Sequence, residues 1–590
     1  MSDNPLVLYD GHCGFCRIWI QYWNQLTGNR VDYAPSQEAG ERFPQIPREN
    51  FGQAVQLVMP EGEVISGARA VLTTLTFVPG MAWLLWLYNH FPGFAGVSEA
   101  FYGVIARHRT FFYHLTRITF GRRIISLHYP SVEWIFLRIL AVIYLVAFTS
   151  FGMQVTGLIG ARGIAPVGRY LAAVSQTFGP AGYRMMPTLF WFAHGDGVLL
   201  AACWAGIAIS LVLLLDYFER VSLICLYVLY FSLCTAGQEF MSFQWDFLLL
   251  EAGFLAIFLG QSKLVVFLFR WLAFRLTFLS GAVKLMSHDP TWRNLTALSY
   301  HYWTQPLPTP VAWYANQLPF WFHRFSTAMV FVIELGVPFL FFAPRPWRFW
   351  GAFCALYLQV LIFLTGNYTF FNLLAMAIYL FLFDDAALAK MRLRTRHVRI
   401  NPAVAATVAA IVVVLSVSEL WGMFFGSTSE EGSALVHWAA PFGIVNTYGL
   451  FAMMTTSRPE IIVQGSADGQ TWLDYEFKYK PGDLRRAPRW VAPFQPRLDW
   501  QMWFAALSGP RGAPWFDNFM VRLLQGSPEV RALLARDPFA GARPKYVRAL
   551  LYDYRFTDFA ARRETGDWWQ RSPRGMYFPE ISLEDVRLKD

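Results

Sequence analysis

The run WIFLRILAVIYLVAFTSFG, residues 134–152, contains one charged residue, Arg138. As a helix it would reach about 28 Å at about 1.5 Å per residue, close to the roughly 30 Å of a bilayer's hydrocarbon core. Further apolar runs lie near 198–216, 221–237, 245–260, 264–282, 326–343, 349–366, 368–383 and 403–424. The chain therefore reads as a polytopic α-helical membrane bundle of about nine spans between Val132 and Phe425. The fourth and fifth runs are the weakest, since one holds Asp246 and Glu251 and the other Arg270 and Arg275. Paired as a re-entrant hairpin, they would leave seven spans and the same parity.

Composition agrees with this. Of 590 residues, 55% are hydrophobic and only 15% charged, and the mean hydropathy is +0.33. A soluble chain would carry about a quarter charged residues. An ordinary cytosolic enzyme, a disordered chain and a secreted disulfide scaffold are excluded. The net charge of +9 belongs to loops at the membrane and not to a basic face for nucleic acid, because no basic stripe occurs on a soluble helix.

Those cations orient the bundle. With the N-terminus in the cytoplasm, the inner side receives Arg107, Arg109, Arg117, Arg122, Arg123, Arg220, Lys263, Arg345, Arg348, Lys390, Arg392, Arg394, Arg396 and Arg399. The outer side receives only Arg162, Arg169, Arg184, Lys284, Arg293 and Arg324. The positive-inside rule places the N-terminus in and the C-terminus out.

Outward from the bundle, residues 1–125 read as a small soluble α/β domain. The opening MSDNPLVLYDGHCGFC lacks a basic n-region and an apolar h-region, so no cleavable signal peptide is expected. Leu6 to Tyr9 reads as a strand, Cys13 to Leu26 as a helix, and QAVQLVMPEGEVISGARAVLTTL as two strands and a helix. Residues 81–130, aromatic and basic, read as amphipathic and lying on the membrane surface. Residues 430–590 read as an independent, mostly β domain with helical insertions, from the hairpin pattern in RPEIIVQGSADGQTWLDYEF.

Cys13-Gly14-Phe15-Cys16 follows a strand and opens a helix. A thiol at a helix N-terminus is favoured as thiolate, and a second thiol three residues on can resolve a mixed disulfide. Inert buried thiols and half of a zinc site are the competing readings, although His12 alone would not complete four ligands and no second Cys pair exists. Among the intramembrane ionisable residues, Asp246, Glu251, Lys284 and Glu334 form either a structural ion-pair network or a polar pocket. Asp246 and Glu251, five residues apart, should have different partners. Between His288 and Arg324, Trp292, Tyr300, Tyr302, Trp303, Trp313, Tyr314 and Trp321 read as an interfacial belt or as a surface for a non-native client. No nucleophile elbow, phosphate-binding loop, HExxH or dinucleotide fingerprint occurs, and no cofactor is expected.

Two resemblances refine the reading. YDGHCGFC with PEGEVISGARAVL resembles the DCC family of thiol-disulfide oxidoreductase-like domains with a DGxCxxC signature. That implies a thioredoxin-like fold, possible thiol-disulfide oxidoreductase activity, a thiol redox partner, and Asp10, Cys13 and Cys16 as the motif residues. One departure is that no proline precedes the strand at Ala54 to Met59, where such folds place a cis-proline facing the cysteines. In the rest of the chain, GQEFMSFQWDFLLLEAGFLAIF, KLMSHDPTWRNLTALSYHYWTQPLPTP, LTGNYTFFNLL and IVNTYGLFAMMTTSRPEIIVQGSADG resemble the lipase maturation factors. That resemblance implies a membrane-anchored folding or assembly factor for exported lipases or related hydrolases. With the DCC fusion it implies a bacterial inner-membrane member whose C-terminal domain is periplasmic. More distantly, SGAVKLMSHDPTW resembles the membrane domain shared with vitamin-K-dependent carboxylases, which would make Lys284 a base. The alternatives are thus a membrane enzyme acting on a lipid or quinone-like substrate through the polar pocket, or a CxxC electron-transfer protein.

Overall fold

The computed structural model describes residues 4–121, 124, 127–396, 398–426 and 430–587; Arg122 and Arg123 of the inner-side cations lie outside the described residues. The chain divides into two units, residues 1–128 with 343–350, and residues 129–342 with 351–590.

In the first unit, β1 (Leu6–Tyr9) pairs in parallel with β2 (Asp32–Pro35) and antiparallel with β3 (Gln56–Val58). β3 pairs antiparallel with β4 (Val64–Ser66), and the sheet order is β2-β1-β3-β4. Parallel pairing of β1 and β2 requires a crossover, which helix Gly14–Thr27 supplies. Helix Gly67–Thr76 follows β4, so a βαβ unit is succeeded by a ββα unit. Val7, Leu57 and Ile65 bury one side chain from each of three strands in the core, joined by Ile20 of the crossover helix. Helices Ala82–His90, Phe94–Arg107 and Arg109–Phe120 complete the unit. They leave Trp83, Trp86, Phe91, Phe101, Phe111 and Ile118 more than half exposed.

The second unit holds most of the membrane-length helices. Seven helices of the described residues are long and apolar enough to cross: Pro130–Gly152, Asp196–Leu214, Glu219–Ala236, Lys263–Met286, Phe320–Phe342, Arg345–Thr365 and Pro402–Phe425. The fifth apolar run is thus a full helix of 24 residues despite its two arginines. The fourth and eighth runs form shorter helices. Gln244–Ile257 has 14 residues, about 21 Å, and Phe371–Leu382 turns by 108° into Asp385–Met391. Both short helices nevertheless join opposite ends of the bundle. Asp246 meets Arg497, while Gly260 O accepts from Ile400 N and Gln261 N donates to Glu133 at the start of the first span. Asn367 meets Arg489, and Asp385 accepts from Ser131 N. Helix Gln244–Ile257 is buried along most of its length. Irregular backbone at its ends is therefore shielded by protein and not by lipid. The first span packs closely on Asp196–Leu214, where a Cβ at Gly206 would come within 2.3 Å of the Phe148 ring. Glycine is what lets these helices approach.

The C-terminal region differs from expectation in two ways. It is α+β and not mostly β: helices Arg497–Ser508 and Pro514–Gln525 accompany a sheet of order β6-β5-β7-β8, comprising β5 (Pro459–Ser466), β6 (Trp472–Asp474), β7 (Tyr546–Phe556) and β8 (Trp569–Ser582). Nor is it independent. The aromatics of the loop after His288 enter its core: Trp303 and Trp313 are buried with Tyr554, Phe556 and Trp569, and Trp292 packs with Met454. Of the seven tryptophans and tyrosines named above only Tyr314 and Trp321 are exposed, at 50% and 67%, with Phe320 beside them. Belt and client surface therefore give way to core packing for most of them.

Candidate functional site

Cys13 is the N-cap of helix Gly14–Thr27, and its Sγ accepts from Cys16 N at 3.2 Å. The Cys16 thiol donates to the same sulfur at 2.7 Å. This thiol–thiol hydrogen bond, helped by the backbone donor and the Arg109 guanidinium against the opposing effect of burial, pulls Cys13 down to about 6. The same bond retains the proton on Cys16, whose pKa is raised, and burial raises it further. The two thiols are thus differentiated, Cys13 as the readier thiolate and Cys16 as the proton-holding partner, an asymmetry that dithiol exchange can use.

Asp10 does not touch either sulfur. Its Oδ1 accepts from His12 N at 3.0 Å and from Gln37 Nε2 at 2.9 Å, and Arg109 stands 3.6 Å from Oδ2. It fixes the turn that carries Cys13, and so positions the thiol. Gly14 is demanded by proximity, since a Cβ there would meet the Tyr113 ring at 2.9 Å. Beside Cys16 lies a cavity of about 340 Å³, walled by Phe15, Trp19, Trp23, Phe51, Val71 and Phe101 among others, with Asp10 and Arg109 in its lining. Ala54 and Val55 line it where thioredoxin-like folds carry proline, and Val55 N donates to Tyr102 Oη at 2.8 Å. Arg109 was not legible as a site residue. Its helix carries Arg117 as well, so charge alone did not single it out.

In the second unit, the four intramembrane residues of interest fall into three separate pairs. Arg497 clamps Asp246 with two bonds of 2.9 and 2.8 Å, and Tyr230 Oη donates to the same carboxylate at 2.5 Å. Glu251 accepts from Arg275, from Tyr448 Oη at 2.7 Å and from Asn446 N at 3.0 Å. Lys284 Nζ donates to both Glu334 oxygens, at 2.9 and 2.7 Å, and to Ser280 O at 3.0 Å, with its ammonium 5.2 Å from the Trp292 ring centre. Asp246 and Glu251 do have different partners, and only Lys284 and Glu334 are brought together. Each buried charge faces its opposite and further hydrogen bonds, which offsets desolvation. Three acceptors surround Lys284 Nζ, the two Glu334 oxygens and Ser280 O, so the group is fully engaged in this pairing.

Three of these contacts cross from the bundle to residues beyond 440, through Arg497, Tyr448 and Asn446. Two more tie the same regions. Arg458, fully buried and paired with Glu460 at 2.9 Å, donates to the carbonyls of Trp303, Gln305 and Pro306. Asn367 donates to Arg489 O at 2.8 Å and accepts from Val491 N at 2.7 Å. Sequence reading missed Arg497, Arg458 and Asn367 because their partners are remote. The available signal was a lone polar residue in an apolar or aromatic setting.

Comparison with known proteins assigns these regions. Residues 131–390 match the lipase maturation factor transmembrane domain, 444–579 the lipase maturation factor C-terminal domain, and 7–115 the DCC1-like thiol-disulfide oxidoreductase. Lipase maturation factor 2 of Gallus gallus is 35% identical over 584 residues, covering 77% of this chain and 82% of its own length. The Homo sapiens lipase maturation factor 2 is 36% identical over 594 residues, covering 77% and 83%. Lipase maturation factor 1 of Bos taurus is 36% identical over 507 residues, covering 77% and 89%. No solved structure matches the chain. The chain, a multi-pass membrane protein with a DCC1-like segment before its bundle, belongs to the lipase maturation factor family.

Proposed function

We propose that this protein is a membrane-anchored maturation factor that helps exported lipases or related hydrolases to fold or assemble, joined to an N-terminal dithiol domain. The observation that carries the reading is that the bundle and the C-terminal region, which match the two lipase maturation factor domains, are locked together by the buried Asp246–Arg497 ion pair and by hydrogen bonds from Tyr448 and Asn446 to the buried Glu251. A factor that receives a non-native client needs such a fixed body outside the membrane. In our reading the parts are residues 1–125, 130–425 and 430–590, and the bundle has nine crossings, two of them made by the short buried helices. The N-terminus is cytoplasmic and the C-terminal domain periplasmic, in a bacterial inner membrane. The gathering of Arg138, Arg220, Arg394 and Arg396 with Asp216 and Glu219 at the bundle end away from the C-terminal region supports this orientation.

The βαβ–ββα order and the differentiated sulfurs support a thioredoxin-like dithiol–disulfide role for Cys13 and Cys16. The exposed aromatics of residues 82–120 support a seat on the bilayer surface. On this topology the dithiol and an exported client lie on opposite sides of the membrane. Deleting the gene should lower secreted lipase activity at equal lipase mRNA, and the wild-type gene should restore it. The variant with Cys13→Ser and Cys16→Ser should restore it equally. Unchanged activity on deletion refutes the maturation role, and failure of the cysteine variant refutes the division of labour.

A further inference from the structure

The cavity beside Cys16 has no use in the proposed maturation role. It is small, apolar and aromatic, and it lies within the first unit. Its volume of about 340 Å³ falls at the lower end of small-ligand sites, which run from about 300 to 1,000 Å³. Helix Phe94–Arg107 forms one wall through Phe101, Tyr102 and Ile105, and Phe101 is itself 63% exposed. The wall is therefore continuous with the exposed aromatic side chains that suit a bilayer surface. Polar groups line it at the Cys16 thiol, the Asp10 carboxylate and the Arg109 guanidinium, which lie together, and at Ser98, Tyr9 and Tyr102.

The geometry points to a lipid-soluble quinone as the occupant, reduced there by the Cys13–Cys16 dithiol. The inference rests on the dithiol reading above and names its electron acceptor. A peptide substrate fits poorly, because the Val55 N–H that borders the cavity is already donated to Tyr102. A saturated acyl chain would offer nothing to the thiol or the guanidinium. A quinone ring stacks on aromatic walls, presents carbonyl oxygens to the Arg109 N–H groups not spent on Gln53 O and Asp10, and accepts what a dithiol gives up. The balance is complete. The Cys13 thiolate and the Cys16 thiol form one S–S bond, and the S–H bond of Cys16 breaks. Two electrons pass to the quinone, whose two carbonyl oxygens become hydroxyls with the Cys16 proton and one proton from water. A thiol reductant of the cytoplasm then restores the dithiol by exchange.

The test uses the full chain in nanodiscs, reduced with dithiothreitol and freed of it. A fully substituted decyl-benzoquinone is one oxidant and glutathione disulfide the other. Quinone absorbance and free thiols are followed together, with the Cys13→Ser, Cys16→Ser double variant as background. The expected result is one quinone consumed per two thiols, at a rate that saturates with quinone concentration. Val71→Phe, which fills the cavity, should lower the ratio of quinone rate to glutathione-disulfide rate at least tenfold. Oxidation by glutathione disulfide without oxidation by quinone overturns the quinone site and leaves the dithiol reading standing. So does a quinone rate that stays linear in concentration, or an unchanged ratio in the folded Val71 variant. Oxidation by neither reagent defeats both readings. The saturation measurement needs only the wild-type chain and decides the matter if Val71→Phe does not fold.

Discussion

Replacing Arg497 by Met tests the claim that the C-terminal region is joined to the bundle by charge. Arg497 and Asp246 are 1% and 0% exposed, so neither regains water when its partner is lost. The substitution removes two charge-assisted bonds to Asp246 and one to Phe240 O, leaving Tyr230 as the carboxylate's remaining donor. Breaking one side of a buried pair costs about 3–5 kcal/mol, roughly a fifth or more of a total stability of about 5–15 kcal/mol. Asp246→Leu should cost as much, because it strands the guanidinium and leaves the Tyr230 hydroxyl unsatisfied. The double variant, with both charges gone and apolar volume in their place, should lose far less than the two losses added. Unfolding of the purified protein in detergent, followed by tryptophan fluorescence against denaturant, yields the four free energies of the cycle. Losses that add within about 0.5 kcal/mol, as they do for uncoupled sites, would refute the pairing.

Three further outcomes follow from single features. Alkylation of Cys13 should rise with pH around a midpoint of about 6, since only the thiolate reacts; a rise confined to pH above 8 would show an unactivated thiol. Gly206→Leu should cost about 1–3 kcal/mol by overpacking, because its Cβ would overlap the Phe148 ring, and Phe148→Ala in the same chain should recover part of the loss; the denaturant midpoint measures both. Trp313→Ala, at 0% exposure, should cost about 3–5 kcal/mol and open the C-terminal region to protease. Tyr314→Ala, half exposed, should stay within about 0.5 kcal/mol; equal effects would return the aromatic loop to the surface.

Local patterns were legible and distant pairings were not. Apolar runs long enough to span were readable because length against bilayer thickness is a one-dimensional criterion. At 245–260 and 368–383 the runs form helices shorter than that criterion asks for, because burial in protein makes a run apolar without requiring full membrane length. The strand–CxxC–helix order was readable because its chemistry is contained in four residues. The cavity beside it was not, since Phe51, Val71 and Phe101 come from three separate helices. In the C-terminal region, the prolines of APRWVAPFQPRLDW obscured a helix that begins at Arg497, the residue that pairs with Asp246 across 251 positions. The aromatic loop was misjudged for a related reason. Tryptophan density marks interfaces and cores alike, and the strands that cover Trp303 and Trp313, β7 and β8, lie more than two hundred residues downstream.

Why the joint is built from charges follows from where it lies. Helices in lipid gain little hydrophobic energy by meeting, because acyl chains are as apolar as leucine. An apolar joint at the bundle's end would therefore be weakly specified in position. A buried charge is different, because every displacement that separates it from its partner exposes it to a medium of low dielectric constant. Asp246 with Arg497, and Glu251 with Arg275 and Tyr448, permit one register and penalise the neighbouring ones by several bonds at once. Arg458 extends the same constraint to the backbone of the aromatic loop. On the proposed role, a client meets one surface to which bundle, loop and sheet all contribute, at positions set from within the membrane. The charges that an enzyme reading would call a pocket each have a partner, as a structural network requires: Asp246 with Arg497, Glu251 with Arg275, and Lys284 with Glu334.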